Sequence, residues 1–203
     1  LLCPSMNVHM YENPIVTANI RRLQELGYLF VEPAAGFLAC GYEGKGRLAE
    51  PSDIMEEIRR VLTHKDLAGL RILVTAGPTQ EALDPVRFIS NRSSGKMGYA
   101  LARSAWHRGA EVTLVSGPAP LPPPRGVKMV AVESATDMLK AVKELFDATD
   151  VVIKAAAVAD FAPRRAALHK MKKDASSTLT LELATTPDIL AALGAEKKHQ
   201  ILV

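Results

Sequence analysis

The sequence predicts an α/β fold, a parallel sheet with helices on both faces, for most of its 203 residues. Two observations carry this. From Arg71 onward, short apolar runs rich in β-branched residues (Arg71–Ala76, Glu111–Ser116, Val151–Ala156, Leu179–Leu183) alternate with stretches of helical period (Gly98–Arg108, Ser134–Phe146, Pro187–Leu193). Strands apolar on both sides need cover on both sides, and intervening helices supply it. The second observation is the segment before them: Thr63–Leu70 is polar and loosely patterned. It places a domain boundary near His64 and divides the chain into residues 1–64 and 65–203.

In the first part, Leu1-Leu2-Cys3-Pro4 reads as the end of a strand. Asn13 caps a helix that Pro14 begins, Ile15, Ala18, Leu23 and Leu26 recur at helical spacing, and Gly27 stops it. Tyr28–Val31 reads as a short strand. Gly36–Gly46 holds four glycines and reads as a loop. Ser52 caps a second helix through Leu62. In the second part Gly109 ends the Gly98–Arg108 helix, and the Pro-rich run Gly117–Gly126 reads as a surface connection. The chain does not begin with Met and stops at Ile201-Leu202-Val203, which looks like an interrupted strand, so it is expected to be an internal piece of a longer protein.

Composition narrows the function. Lys plus Arg is 25 and Asp plus Glu is 22, a net charge of +3. That excess is too mild for a nucleic-acid binder, and no Lys/Arg block forms a phosphate-tracking stripe. No apolar run reaches the roughly 20 residues a membrane span needs, and no basic region precedes Leu1 to make a signal peptide. Two cysteines, Cys3 and Cys40, are too few for a disulfide scaffold, so the expected compartment is the cytoplasm.

Candidate chemistry gathers at the ends of the strands. Arg71–Ala76 runs into Gly77-Pro78-Thr79, and a long loop ends in Asn91-Arg92-Ser93-Ser94-Gly95-Lys96-Met97-Gly98 before a helix. Strand, glycine-rich loop and helix N-terminus together suit an anion, with Ser93, Ser94 and Lys96 as added donors. The pattern is not a Walker A loop, and an ordinary tight turn of a doubly wound domain would look similar. Arg87 and Asn91, four apart, would face one pocket if their segment were helical; Arg suits a carboxylate or phosphate, and Asn a reacting acyl group. Ala155, Ala156 and Ala157 let a ligand approach the backbone, and Asp160 and Phe161 follow at the carboxyl end of the strand. Asp160 suits a ribose hydroxyl or a metal-bound phosphate, or simply caps a turn. Lys170-Met171-Lys172-Lys173 is a basic cluster that reads either as solvated surface, as most such clusters are, or as the source of one lysine reaching over a triphosphate. In the first part, Asn7 and the glycine-flanked Cys40 stand out, Cys40 as an accessible proton donor or as a small buried residue.

These motifs, PSMN, ACGYEGKGR, TAGPTQEALDPVRFISNRSSGKMG, AAAVADF and KMKK, resemble in sequence and order the fused phosphopantothenoylcysteine decarboxylases and phosphopantothenate–cysteine ligases of coenzyme A biosynthesis. The resemblance covers essentially the whole chain. It implies that residues 1–64 are the C-terminal piece of a flavodoxin-like, FMN-dependent decarboxylase domain, with Asn7 on the substrate and Cys40 as proton donor. Most FMN contacts would lie upstream. It implies that residues 65–203 begin a Rossmann-like ligase domain. There CTP activates the 4′-phosphopantothenate carboxylate as an acyl cytidylate, cysteine displaces CMP, and Mg2+ screens the triphosphate. By this resemblance Asn91 turns over the intermediate, Arg87 contacts substrate and Lys170 serves the nucleotide. Gly77, Pro78, Thr79, the Ser93–Lys96 loop, Ala155–Ala157, Asp160, Phe161 and the Ala184-Thr185-Thr186-Pro187 turn contact CTP. The metal ligands stay unassigned, and a homo-oligomer is expected for the full-length protein.

Parts of the sequence also fit two other kinds of protein. Ile72–Gly77 resembles a short-chain oxidoreductase opening, although the glycines are split and Tyr99 is followed by Arg103 rather than by a lysine. A regulatory subunit that keeps the fold and binds partners is the other.

Overall fold

In the computed structural model, which describes residues 1–37, 41–172 and 178–203, the chain divides into two units, Leu1–Thr63 and His64–Val203. The first holds α1 (Val8–Tyr11), α2 (Pro14–Glu25), the antiparallel pair β1 (Ala34–Phe37) and β2 (Glu43–Arg47), and α3 (Pro51–Leu62). Asn13 caps α2 as its sequence requires, with Oδ1 accepting from the Ile15 N–H at 2.9 Å and Pro14 opening the helix.

Three expectations for this unit need correction. Tyr28–Val31 forms no strand but a single bridge, Leu2 to Phe30; Pro4 lacks the N–H that would extend the ladder. The described ends of the Gly36–Gly46 stretch are not loop: Gly36 and Phe37 of β1 pair with Gly44 and Glu43 of β2. Its glycines serve close approach: a Cβ on Gly46 would lie 2.2 Å from the Met6 carbonyl oxygen, and one on Gly44 2.8 Å from a Val8 methyl. The third concerns α3, which begins at Pro51 after Glu50, with no side-chain cap from Ser52.

The second unit follows its predicted fold. In chain order it holds β3 (Arg71–Ala76), β4 (Gln80–Ala82), β5 (Phe88–Ser90), α4 (Lys96–His107), β6 (Glu111–Ser116), β7 (Lys128–Ala131), α5 (Ala135–Phe146), β8 (Val151–Lys154), β9 (Phe161–Pro163), β10 (Leu183–Thr185), α6 (Ile189–Glu196) and β11 (Ile201–Leu202). Five parallel strands run in the order β11-β8-β3-β6-β7. Residues of β3 alternate between faces. Ile72, Val74 and Ala76 pack with Tyr99, Ala102 and Trp106 of α4, while Leu73 packs with Met138 and Val142 of α5 and Ile189 and Leu193 of α6. Helices therefore cover both faces. A Cβ on Gly98 would stand 2.5 Å from that of Ala76, so this glycine sets how closely α4 lies on β3.

Within this unit the departures are local. The segment holding Arg87 and Asn91 is not helical: β5 intervenes and pairs antiparallel with β4. Leu179–Leu183 is not the strand; β10 starts at Leu183 and pairs antiparallel with β9. The β8 strand stops at Lys154, before the alanines. Four strands are absent from the sequence prediction: the three-residue β4, β5 and β9, and β7, whose four residues follow the Pro-rich connection closely. At the amino ends of the sheet strands, Asp150 accepts from the Arg71 backbone N–H at 2.8 Å and from its guanidinium at 2.9 and 3.2 Å. Those bonds hold the Asp150 carboxyl down at about 2. Among the described residues no helix is long and apolar enough to cross a membrane.

Candidate functional site

The loops leaving the carboxyl ends of β3 and β8 are tied into one structure. Gly77 has φ +72°, a conformation that favours glycine. Gly117 allows the β6 exit to cross it, since a Cβ there would lie 1.8 Å from the Pro78 carbonyl oxygen. Thr79 is fully buried, and its Oγ1 accepts from the Ala159 N–H at 3.0 Å. The Ala156 N–H donates to Thr75 Oγ1 at 3.3 Å and the Ala157 N–H to the Gly77 carbonyl at 2.9 Å. The backbone N–H groups of Ala155–Ala157 therefore brace β8 against β3, which limits what they can give a ligand.

From the other side, Asn91 Nδ2 donates to the carbonyls of Ala157 at 3.3 Å and Val158 at 3.0 Å. Thr186 closes the arrangement, with Oγ1 donating to the Ala159 carbonyl at 2.6 Å and its N–H to that of Asp160 at 3.0 Å. Two segments about 25 residues apart in sequence thus form one wall. Asp160, Phe161, Thr185, Thr186 and Pro187 line a cleft of about 360 Å³ with Lys154 and Asp188. Ala184 stands beside it, paired with Ala162.

Lys154 is the charged residue whose role the sequence leaves open. Its strand alternation places it on the α6 side, after Val152. Desolvation pushes its ammonium below the usual lysine value, and the Asp188 carboxylate opposes that shift.

The anion loop lies beside Gly77. Gly95, with φ +73°, begins α4 without any side-chain cap, and its backbone is close enough to Gly77 that a Cβ would meet the Gly77 N at 3.2 Å. Ser93 Oγ accepts from the Gly95 N–H at 3.3 Å, while Ser94 and Lys96 are exposed. The first N–H groups of α4 stay open to an anion.

Arg87 and Asn91 have different partners. The Arg87 guanidinium is held by Asp84, with Nε at 3.0 Å and Nη2 at 2.6 Å, and Nη2 also donates to the Met171 carbonyl at 2.8 Å. Asp84 is the residue the sequence reading passed over, although an Asp before Pro that can take N–H groups two and three residues on is a turn signal. Lys170 and Lys172 are exposed on either side of Met171. Lys173 and Cys40 lie outside the described residues. In the first unit Asn7 caps α1, its Oδ1 accepting from the His9 N–H at 2.8 Å. Tyr99 is buried against the sheet, so it cannot serve as the exposed tyrosine of an oxidoreductase site. Among the described residues no group of three or more His, Cys, Asp or Glu could hold a metal ion.

Comparison with known proteins gives two consistent matches. Residues 67–203 match the family described as the DNA/pantothenate metabolism flavoprotein C-terminal domain, and residues 1–63 match the flavoprotein family. The whole chain is 52% identical, over 206 aligned residues, to the coenzyme A biosynthesis bifunctional protein CoaBC of Bacillus subtilis, covering 50% of that protein. It is 47% identical to the CoaBC of Vibrio cholerae, with 96% of this chain and 49% of that protein aligned. Among solved structures, the crystal structure of the C-terminal domain of a CoaBC is 53% identical with a TM-score of 0.59, covering 68% of this chain and 64% of that one. The chain spans about half the length of the curated relatives it matches.

Proposed function

Because the chain belongs to the DNA/pantothenate metabolism flavoprotein family through residues 67–203, we propose that it acts in coenzyme A biosynthesis. As part of a protein of the relatives' length, it joins 4′-phosphopantothenate to cysteine at the expense of CTP. The flavoprotein half, with FMN, decarboxylates the product to 4′-phosphopantetheine. The observation that carries this reading is the cleft where Asp160 and Phe161 meet the Thr185-Thr186-Pro187 turn, 25 residues later, at the carboxyl end of β8. Open α/β sheets take their ligands there.

In this reading the uncapped start of α4 and Lys96 receive phosphates, and Lys170 neutralises charge that grows as CTP activates the carboxylate. Asn91 supports turnover of the acyl cytidylate from the base of the same loop. Of the two carboxylates at the cleft, Asp188 caps α6, which leaves Asp160 to help hold a Mg2+ ion that would supply charge screening to the triphosphate. Asn7 and Cys40 serve the decarboxylase half, as substrate contact and proton donor, and most of the FMN site comes from residues that precede them in the relatives. The compartment is the cytoplasm, in keeping with two cysteines and a coenzyme pathway.

Titration calorimetry of the full-length protein with CTP, ATP and GTP tests the reading. CTP is expected to bind tightest; tighter ATP binding would exclude the assigned nucleotide.

A further inference from the structure

Asp84 is buried, with no exposed side-chain surface, yet it lies in a surface turn and is charged. Its carboxylate accepts five hydrogen bonds. The Val86 N–H at 2.9 Å and the Arg87 N–H at 2.8 Å close its own turn. Arg87 adds Nε and Nη2 at 3.0 and 2.6 Å. The fifth comes from the backbone N–H of Met171, 87 residues away, at 3.1 Å. Arg87 then reaches past Asp84 to the Met171 carbonyl. Both backbone groups of Met171 are thus held by one ion pair, and the Ala167 N–H, donating to the Leu83 carbonyl at 2.9 Å, fastens the same segment to the same turn.

Four of these five donors come from Val86 and Arg87 of the turn itself, and the turn needs only the two backbone ones. The bonds to Met171 and Ala167 have another consequence: they fix the one residue that separates Lys170 from Lys172. A segment so rich in cations is repelled by the neighbouring Arg87 unless a carboxylate lies beneath it. An ionised, fully hydrogen-bonded Asp84 meets that need, and the five donors hold its carboxyl well below the usual carboxylate range.

We propose that Asp84 is a positioning residue that, with Arg87, latches the basic segment 167–172 onto the β4–β5 turn and so sets where Lys170 stands over a bound triphosphate. Asp84 touches no nucleotide and acts through Lys170. Arg87 on this account is engaged by Asp84 and the Met171 carbonyl, on a side chain that stays partly exposed. The proposal rests on the nucleotide reading above for its kinetic arm, and on the hydrogen bonds alone for its structural arm.

The experiment compares wild type, Asp84→Asn, Lys170→Gln and the double variant, each in the full-length protein. Hydrogen exchange at the Met171 amide is read first. It is expected to be slow in wild type and at least about tenfold faster in Asp84→Asn, with the β3 amides unchanged. Ligation then follows. Asp84→Asn is expected to lower kcat/KM for CTP at least about tenfold, the loss typical of a displaced charge-assisted contact. In the Lys170→Gln background the same change is expected to cost under about twofold, because the two residues act as one. Full additivity, or unchanged exchange at Met171, overturns the latch. If Asp84→Asn fails to fold, Arg87→Gln takes its place: it keeps the turn's backbone bonds and removes both the guanidinium and its bond to Met171. A wild-type protein that binds ATP in place of CTP overturns the functional reading, while the exchange result still decides the latch.

Discussion

Asn91 donates to two successive carbonyls of the β8 exit loop, so its amide nitrogen has a structural duty besides any chemical one. Replacing it by alanine takes the side-chain donor from the Val158 carbonyl, while the Ala157 carbonyl keeps the Thr79 N–H. Replacing it by aspartate adds a negative charge facing two carbonyl oxygens. Asn91→Asp is therefore expected to melt lower than Asn91→Ala, the alanine variant losing about 0.5–1.5 kcal/mol; equal melting temperatures would mean that the loop does not depend on the amide. Lys154 predicts the opposite sign. Its ammonium is desolvated at the cleft and its folded-state value lies below the unfolded one. The protonated form thus costs stability below the folded value, and that cost fades as pH rises toward the ordinary 10.5. Lys154→Met should raise the melting temperature at pH 7, and the gain should shrink toward pH 10. A gain that is constant with pH would place its origin in packing instead. Residue type and spacing marked out Asn91, because an Asn before a glycine-rich loop is visible in sequence. Asp84 was hidden, because its partner Met171 is an apolar residue contributing only backbone.

At the level of elements, what was legible is the β3–α4–β6 core. Its apolar strands and helical period agree with the side chains that meet there. The short pieces were not legible. Three-residue strands such as β4, β5, β9 and β10 leave no periodicity to read, and their pairing depends on partners elsewhere in the chain. Glycine also misled, since β2 reads as a turn by composition while Gly44 and Gly46 in it make room for the chain from Met6 to Val8. Two glycines test this logic in opposite directions. Gly98→Ala places a Cβ 2.5 Å from that of Ala76 and 2.8 Å from the Thr75 carbonyl oxygen, atoms of a central strand that cannot yield. The expected cost is about 1–3 kcal/mol, with weaker CTP binding because the start of α4 shifts away from Gly77. Gly194, inside α6, meets nothing within 4 Å. Gly194→Ala should instead stabilise by about 0.4–1 kcal/mol, through helix propensity and a less free unfolded chain. Thermal melts of the pair decide it: a stable Gly98→Ala would mean that α4 and β3 are loosely fitted.

Across the whole molecule, the parallel order β11-β8-β3-β6-β7 follows from alternating strands and helices, but the joining of the β3 and β8 exits does not, because it is made by backbone groups and by Thr79 and Thr186 side chains. Two paired carboxylates brace the second unit: Asp84 ties the β4–β5 turn to Met171, and Asp150 ties the amino end of β8 to Arg71 of β3. Both have folded values depressed below the ordinary 3.8, chiefly by hydrogen bonds from Arg87 and Arg71 respectively. A depressed acid contributes stability that is complete above the unfolded value and is lost as pH falls toward the folded one. For Asp150 that window runs from 3.8 to about 2. The single tryptophan, Trp106, is buried in the α4 face of the second unit, so its fluorescence reports unfolding of that unit alone. Urea midpoints of this chain, followed at Trp106 from pH 5 to pH 2.5, should fall steeply below pH 4. In Asp150→Asn the midpoint should start lower at pH 5, because the ion pair with Arg71 is gone, and should then fall less between pH 4 and pH 2.5. What remains of the slope belongs to Asp84 and to the other depressed carboxylates of the unit, Asp66 and Asp137. If wild type and Asp150→Asn lose stability in parallel across that range, the Arg71 pair contributes nothing that titrates, and the amino end of the sheet is held by its strand pairing alone.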